Sequence, residues 1–513
     1  MNEALPVLSP FWHYFGMTLL FLYGIAVFCI CIYGLGQLDL LWIYLRRRKK
    51  GASEATPQYP LIDVVKNPPM VTVQLPMYNE LYVAERLIDC VVQLDYPKDR
   101  LEIQVLDDST DETVDIVAKT VAKYKALGFD ISHVHRTNRQ GYKAGALKEG
   151  LHETKGEFVA IFDADFLPRR EFLMRTIPHF GNPETGVVQT RWEHLNENYS
   201  VITRLQALQL NVHFTIEQVG RMEGNLLLQF NGTAGVWRRK TIDDAGGWQS
   251  DTLTEDLDLS YRAQIKGYKI KYLEDLGSPA ELPAEMNGLK AQQFRWMKGG
   301  AENARKLLNR VLAAKNLTFA ARYHAAQYLF ASGVFFAALA ASVLSLPLAL
   351  YGDAMGSKIP KWLGIPGAVA LLGVILLIFV GNLQKVVRRE ESFEAAFWRV
   401  LLSTILFVPL ASGMALHNSI AVWEGYSGKK SAFARTPKYG LTGKEGSFSG
   451  VKYVAYSKIP FSTIMEGILA MYFIIGASLE FYWKVEGYPW FHLMFGFGYA
   501  TICLISIKHL ANK

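Results

Sequence analysis

Charge is scarce in this 513-residue chain: Asp, Glu, Lys and Arg make up 20% of it, against about 25% in an average soluble domain, while half is hydrophobic. That balance excludes disorder and collagen-like repeats, and it implies that part of the chain is dissolved in something other than water. Cysteine is scarce too. Of the four, Cys29, Cys31 and Cys503 lie in apolar runs and Cys90 stands alone, with no CxxC spacing, so neither structural zinc nor a disulfide framework is expected. No glycine-rich phosphate loop of Walker or Rossmann type occurs. The basic excess is small. Lys and Arg number 54 against 47 Asp and Glu, a formal +7 that fits orientation at an anionic membrane better than a nucleic-acid surface. No nucleic-acid partner is expected.

Long apolar runs are present instead. About 20 apolar residues cross a hydrocarbon layer of about 30 Å, and Phe15 to Leu45 contains such a run, with Asp39 its one charged residue, followed at once by Arg46, Arg47, Arg48, Lys49 and Lys50. A cleaved signal peptide carries its charge before a shorter apolar stretch, so this segment reads as a retained anchor. The positive-inside rule then puts the N-terminus outside and Gly51 onward in the cytosol. Further runs lie at Tyr328 to Leu350, Trp362 to Val380, Phe397 to Leu416, Phe461 to Leu479 and Trp490 to Ile507. A full crossing by Phe397 to Leu416 would place Lys429, Lys430, Arg435, Lys438, Lys444 and Lys452 outside, against the same rule. That segment is therefore expected to be interfacial or re-entrant, which also suggests the wall of a channel.

The block between the first two runs is of ordinary polar composition. Short apolar stretches at Val71 to Leu75, Glu102 to Leu106, Ile131 to His135 and Glu157 to Phe162 alternate with helical patterns near Leu81 to Val92 and Thr113 to Leu127. Such alternation predicts a mostly parallel sheet with helices on both faces, where ligands bind beyond the carboxyl ends of the strands. Two strands end in paired acids, Asp107-Asp108 and Asp163-Ala-Asp165. Asp163 and Asp165 can both face one hard cation, Mg2+ or Mn2+, although a solvated strand end or helix cap has the same pattern. Downstream, Thr254-Glu-Asp256 reads equally as a helix cap with first-turn acids. Gln292-x-x-Arg295-Trp296 opens a basic amphipathic stretch that also suits a membrane-surface helix.

Taken together and in this order, Asp107-Asp108, Asp163-Ala-Asp165, Thr254-Glu-Asp256 and Gln292-x-x-Arg295-Trp296 resemble the D, DxD, TED and QxxRW set of processive family 2 glycosyltransferases. These include cellulose, hyaluronan and chitin synthases and the cellulose-synthase-like mannan synthases. Val73 to Glu80, Gln104 to Thr110 and Phe230 to Trp237 are particularly similar to the mannan-synthase branch. Phe433-Ala-Arg-Thr-Pro-Lys438 resembles the FxVTxK gating loop of cellulose synthases, with Arg435 in place of the valine.

The resemblance implies a GT-A glycosyltransferase domain joined to an α-helical transmembrane region. It makes Asp256 the general base beside Glu255, puts a divalent metal on Asp163 and Asp165, and gives Arg295 and Gln292 to the diphosphate. Asp107 and Asp108 would receive the base and ribose of a UDP- or GDP-hexose, Lys143 and Asp163 would lie at its phosphates, and Trp296 would stack an acceptor sugar. Phe433, Thr436 and Lys438 would belong to the gating loop. The expected layout is an anchor (1–50), a cytosolic catalytic domain (51–287), amphipathic interfacial helices (288–326), two spans (327–381), an interfacial or re-entrant segment (382–424), the loop (425–458) and two further spans (459–513). The expected function is inverting transfer of a hexose to a growing β-linked glucan or mannan in the plasma or inner membrane, with secretion of the product. Two alternatives are a non-processive enzyme acting on a ceramide or diacylglycerol, and a transporter or receptor with an inactive sugar-binding domain.

Overall fold

The computed structural model describes residues 10–49, 60–354, 364–443, 459–485 and 488–511. Lys50 and Gly51, Trp362, and Lys444 and Lys452 of the basic loop lie outside the described residues. The catalytic block is built on a seven-stranded sheet of order β3-β2-β1-β4-β6-β5-β7. Its strands are β1 (Val71–Met77), β2 (Leu101–Asp107), β3 (Asp130–His135), β4 (Phe158–Ile161), β5 (Thr185–His194), β6 (Gly235–Arg238) and β7 (Lys269–Ala280). β1 pairs in parallel with β2 and β4, and β2 with β3, whereas β6 runs antiparallel to β4 and β5. The alternation of apolar runs predicts β1 to β4 and misses the far half. There β6 has only four residues, and the pairing of β7 with β5 is broken by register shifts that blur a period-2 pattern.

Burial on both faces explains why the strands read as continuous apolar runs. Along β4, Phe158 and Ala160 enter one core with Val73, Leu75 and Ile103, while Val159 and Ile161 enter the other with Trp237 and Leu147. Polar residues in this sheet are matched across strands. Gln74 Nε2 donates to Gln104 Oε1 at 3.0 Å, and the Thr72 hydroxyl to Glu102 at 2.6 Å. Pro76 is tolerated in β1 because the ladder with β4 ends at Gln74, so its missing N–H faces no partner on that side.

Among the described residues, six helices are long and apolar enough to cross a membrane, and the chain is a multi-pass membrane protein. Among them the N-terminal helix, Pro10–Lys49, carries its basic end into the catalytic block, where Arg47 reaches Glu223 at 3.1 Å and Glu274 at 3.3 Å. The apolar run beginning at Tyr328 is broken at Ala331–Gly333, so the membrane helix itself is Val334–Ala354. Hydropathy cannot register that break, since the flanking residues on both sides are apolar. The segment with the ambiguous crossing forms a helix, Phe393–Gly413, capped by Ser392. Both of its flanks meet the catalytic side: Lys385 pairs with Glu197 at 3.3 Å, and the following helix, Ala415–Ser427, lies against Met286–Ala313 with Glu424 3.3 Å from Lys298.

Two contacts fix the helix that carries the acidic motif, Glu255–Ile265. Asp258, fully buried, accepts from Arg262 at 2.7 and 2.9 Å and pairs with Lys306 at 2.9 Å. Arg262 also donates to the Gly247 carbonyl at 2.8 Å. Removing one member of such a pair leaves an incompletely compensated buried charge. Arg262→Ala is expected to destabilise the protein by about 3–5 kcal/mol, read as a fall in the unfolding midpoint of the detergent-solubilised chain; an unchanged midpoint would show that the pair contributes nothing.

Candidate active site

The sheet reverses direction of growth at β1, whose neighbours β2 and β4 lead away on opposite sides. Beyond the carboxyl ends of these strands lies a cleft lined by Glu80, Asp108, Lys143, Asp163, Asp165, Glu255, Asp256, Gln292, Arg295, Trp296, Phe433, Thr436 and Lys438, among others. Twelve of the thirteen site residues expected from the sequence therefore share one cleft, as Glu80 is an addition and Asp107 an omission. The Asp107 carboxylate turns away toward β3, where Oδ2 lies 2.8 Å from His133 Nε2, and Oδ1 accepts the Ser109 N–H at 2.8 Å. An acid at the last strand residue points to the opposite face from its successor, which is why only Asp108 reaches the ligand side. Asp108 itself is gripped by Arg136 through two contacts of 2.6 Å.

Lys143 stands at the start of the Tyr142–Glu153 helix and pairs with Asp163 while donating to the Gly232 carbonyl at 2.8 Å. Gly232 has φ +79°, and a Cβ there would lie 3.1 Å from Asp256 Oδ2 and 3.6 Å from Lys143 Nζ. A larger residue would push Asp256 and Lys143 apart. Burial opposes the charge on Lys143, yet Asp163 and then Glu255 outweigh it and hold the ammonium above its ordinary value.

Thr254 does not cap its own helix. Its hydroxyl accepts from Asn303 Nδ2 at 2.9 Å, and Gly299 lies so close that a Cβ would sit 2.4 Å from that hydroxyl oxygen. The motif is thus pinned to the Met286–Ala313 helix, which delivers Gln292, Arg295 and Trp296 to the same cleft. Burial pushes Glu255 up to about 7, with Asp256 alongside adding to the effect and Lys143 opposing it. Asp256 is likewise raised by burial, against the Leu257 N–H and Lys143. Desolvation brings Arg295 down to about 10 in spite of Asp163, Glu255 and Glu80.

The loop after Ser427 enters the cleft. Arg295 donates to the Ala434 carbonyl and, at 3.0 Å, to the Thr436 hydroxyl, and its guanidinium lies 4.8 Å from the Phe433 ring centre. Phe433 stacks on Tyr142 at 5.8 Å. Arg435, the departure from the gating-loop pattern, finds its own partner in Glu80 at 2.9 Å. Lys438 donates to Asp165 Oδ2 and to the Glu281 carbonyl, both at 2.7 Å. Sequence reasoning overlooked Glu281, whose buried carboxylate accepts the backbone N–H groups of Tyr439, Gly440 and Leu441 at 2.8, 2.8 and 3.1 Å. It also ran a basic amphipathic stretch, suited to a membrane-surface helix, through Lys298. Lys298 is instead wholly buried, donating to the Lys429 carbonyl at 2.5 Å and the Ser431 hydroxyl at 2.6 Å.

Asp163 and Asp165 fit a divalent cation. Each already holds a lysine ammonium, and the lining of the cleft carries seven carboxylates against five lysines and arginines, a formal deficit that one such ion would cancel.

A mixed sheet with acids at its switch point and a lysine, an arginine and paired carboxylates around one cleft defines the glycosyltransferase class. A family model described as "Glycosyltransferase like family 2" matches residues 68–299. A probable glucomannan 4-beta-mannosyltransferase 11 of Oryza sativa subsp. japonica is 38% identical over 383 residues, covering 73% of this chain and 64% of the relative. Glucomannan 4-beta-mannosyltransferase 7 of Arabidopsis thaliana is 34% identical over 80% of this chain and 71% of its own length, and glucomannan 4-beta-mannosyltransferase 1 of rice 36% over 75% and 72%. The chain belongs to this cellulose-synthase-like group of family 2 glycosyltransferases. The fold is also that of a mannosyltransferase from Pyrobaculum calidifontis solved in complex with GDP-Man and Mn2+, with a TM-score of 0.51 at 20% identity over 80% of this chain and all of that one.

Glu281→Ala removes the acceptor for three backbone donors at the root of the loop. Tryptic cleavage at Lys429, Lys430, Arg435 and Lys438, mapped by mass spectrometry on the folded protein, is expected to accelerate several-fold. An unchanged digestion pattern would mean that Lys438 and Arg435 hold the loop by themselves.

Proposed function

We propose that the protein is an inverting β-mannosyltransferase that moves mannose from GDP-mannose to a hydroxyl of a growing β-linked glycan. The observation that carries this reading is the convergence of Asp163, Asp165, Asp256 and Arg295 on one cleft beside the Met286–Ala313 helix. The donor is chosen from the names of the relatives, all 4-beta-mannosyltransferases, and from the GDP-Man held by the Pyrobaculum enzyme.

The acceptor oxygen attacks the anomeric carbon as the bond from that carbon to the diphosphate breaks. Asp256 takes the hydroxyl proton, for which a raised carboxylate is well matched. Arg295 and Lys143 meet the charge that grows on the departing diphosphate, Arg295 with a planar fork suited to two oxygens. Mg2+ or Mn2+ held by Asp163 and Asp165 would add Lewis-acid stabilisation and orientation at the same phosphates. Asp108 receives the nucleoside end, and Trp296 stacks the acceptor ring. Phe433, Thr436 and Lys438 close over the donor, which releases Lys438 from Asp165 and Arg295 from the loop backbone. The catalytic block lies in the cytosol. The Phe393–Gly413 helix stays at the interface, a reading supported by the contacts that both of its flanks make on the catalytic side, and the product leaves between the spans.

Purified protein supplied with labelled GDP-mannose is expected to make a mannanase-sensitive polymer. A single-sugar lipid, or turnover of UDP-glucose in preference, would overturn the reading. Asp256→Asn is expected to lower turnover by about 10²–10⁴-fold while nucleotide affinity stays within a factor of a few.

The pH dependence follows from burial. Asp256 must be ionised to accept a proton, so kcat/KM falls as pH drops through its raised pKa, and the acidic limb lies above the ordinary carboxylate range. Burial, with Asp256 adding to it, holds Glu255 at about 7 and so keeps it neutral while Asp256 ionises; Glu255→Gln should therefore leave that limb in place, and a limb moved to lower pH would show that an ionised Glu255 repels Asp256.

A further inference from the structure

A second cluster of ligating groups sits behind the nucleoside end of the cleft, unused by the transfer reaction. His133 and His135 are two apart on β3, so their side chains share one face of the sheet. The parallel register sets Asp107 opposite His135. His133 Nε2 lies 2.8 Å and His135 Nδ1 3.6 Å from the same oxygen, Asp107 Oδ2, and one ligand atom from each residue falls within 4.8 Å of the others. Among the described residues these three form the one such group of three or more His, Cys, Asp or Glu side chains. Two imidazoles and a carboxylate are a donor set for zinc and its first-row neighbours, distinct from the all-oxygen preference of Mg2+. Bonds of about 2.0–2.1 Å in a tetrahedral site put neighbouring ligands about 3.4 Å apart, so small side-chain rotations suffice to close it.

Charge points the same way. Asp108 is neutralised by the permanent cation of Arg136, 2.6 Å away. Asp107 is fully buried, and its carboxylate meets the N–H and hydroxyl of Ser109 and two imidazoles that are charged only when protonated. A buried carboxylate without a fixed counter-charge is costly, and a bound cation removes that cost. His135 keeps 35% of its side chain exposed, which leaves the ion a route in and room for a water as fourth ligand.

We propose that Asp107, His133 and His135 bind a zinc-class divalent ion, at a site separate from the Asp163 and Asp165 pair. The ion ties the carboxyl ends of β2 and β3 together directly beside the Asp108–Arg136 pair that borders the cleft. The site does not depend on which sugar donor the enzyme uses.

The test uses the full-length protein in detergent with Asp163→Asn and Asp165→Asn, which removes the other acidic pair, after stripping with a chelator. Titration with Co2+ is expected to give the visible absorption of a low-symmetry nitrogen and oxygen site, saturating at one equivalent and displaced by one equivalent of Zn2+. His133→Gln with His135→Gln should weaken binding of either ion by at least about tenfold. No saturable binding in the parent, or equal affinity in the histidine variant, overturns the proposal. Should the double variant fail to fold, His135→Gln alone makes the same comparison, because its side chain is partly exposed and removes one ligand without emptying the core.

Discussion

Crowding of negative charge in a place hidden from water is the constraint on which the rest of this structure depends. Seven carboxylates line the cleft, among them Asp163, Asp165, Glu255 and Asp256. Like charges at short range raise one another's pKa, and burial raises them further. The fold answers by bringing a basic group to each cluster from a different part of the chain: Lys143 from a helix start, Arg295 from the Met286–Ala313 helix, and Arg435 and Lys438 from a loop beyond the fourth apolar helix. The pairings of Arg435 and Lys438 join segments far apart in sequence. The membrane region and the catalytic block are therefore one electrostatic unit.

That arrangement also explains why the loop rests where it does. Asp165 is a buried carboxylate, and Lys438 supplies its counter-charge at 2.7 Å. The pairing of Arg435 with Glu80 does the same for a second acid, which burial pushes up to about 7 even with the arginine opposing. The basic residues of the loop thus occupy oxygens of Glu80 and Asp165 in the cleft.

Much of this was legible in the sequence. Strands β1 to β4 follow from short apolar runs, two of them ended by paired acids, because both faces of the inner parallel strands are buried and side chains there leave a continuous signal. The cleft residues follow from four short motifs in a fixed order. What the sequence could not display was direction. Asp107 and Asp108 are adjacent letters, yet the pleat sends them to opposite sides of the sheet. Lys298 belongs to a stretch that alternates basic and apolar residues, and it is buried only because the distant Lys429 carbonyl and Ser431 need a donor. Glu281 carries no motif at all. Its role is to accept from backbone, which any sequence can provide, and so no pattern could have revealed it.

The two fastenings of the loop set a limit on its travel. Lys298 grips it at Lys429 and Ser431, and Glu281 grips it from Tyr439 to Leu441. Only seven residues lie between those grips, a contour of about 25 Å if fully drawn out. A strap so short cannot swing clear as a long lid does. Its midpoint can lift by roughly half that length at most, the arc of a tethered bow, and lengthening the strap by a few glycines would widen that arc without touching a single charged group.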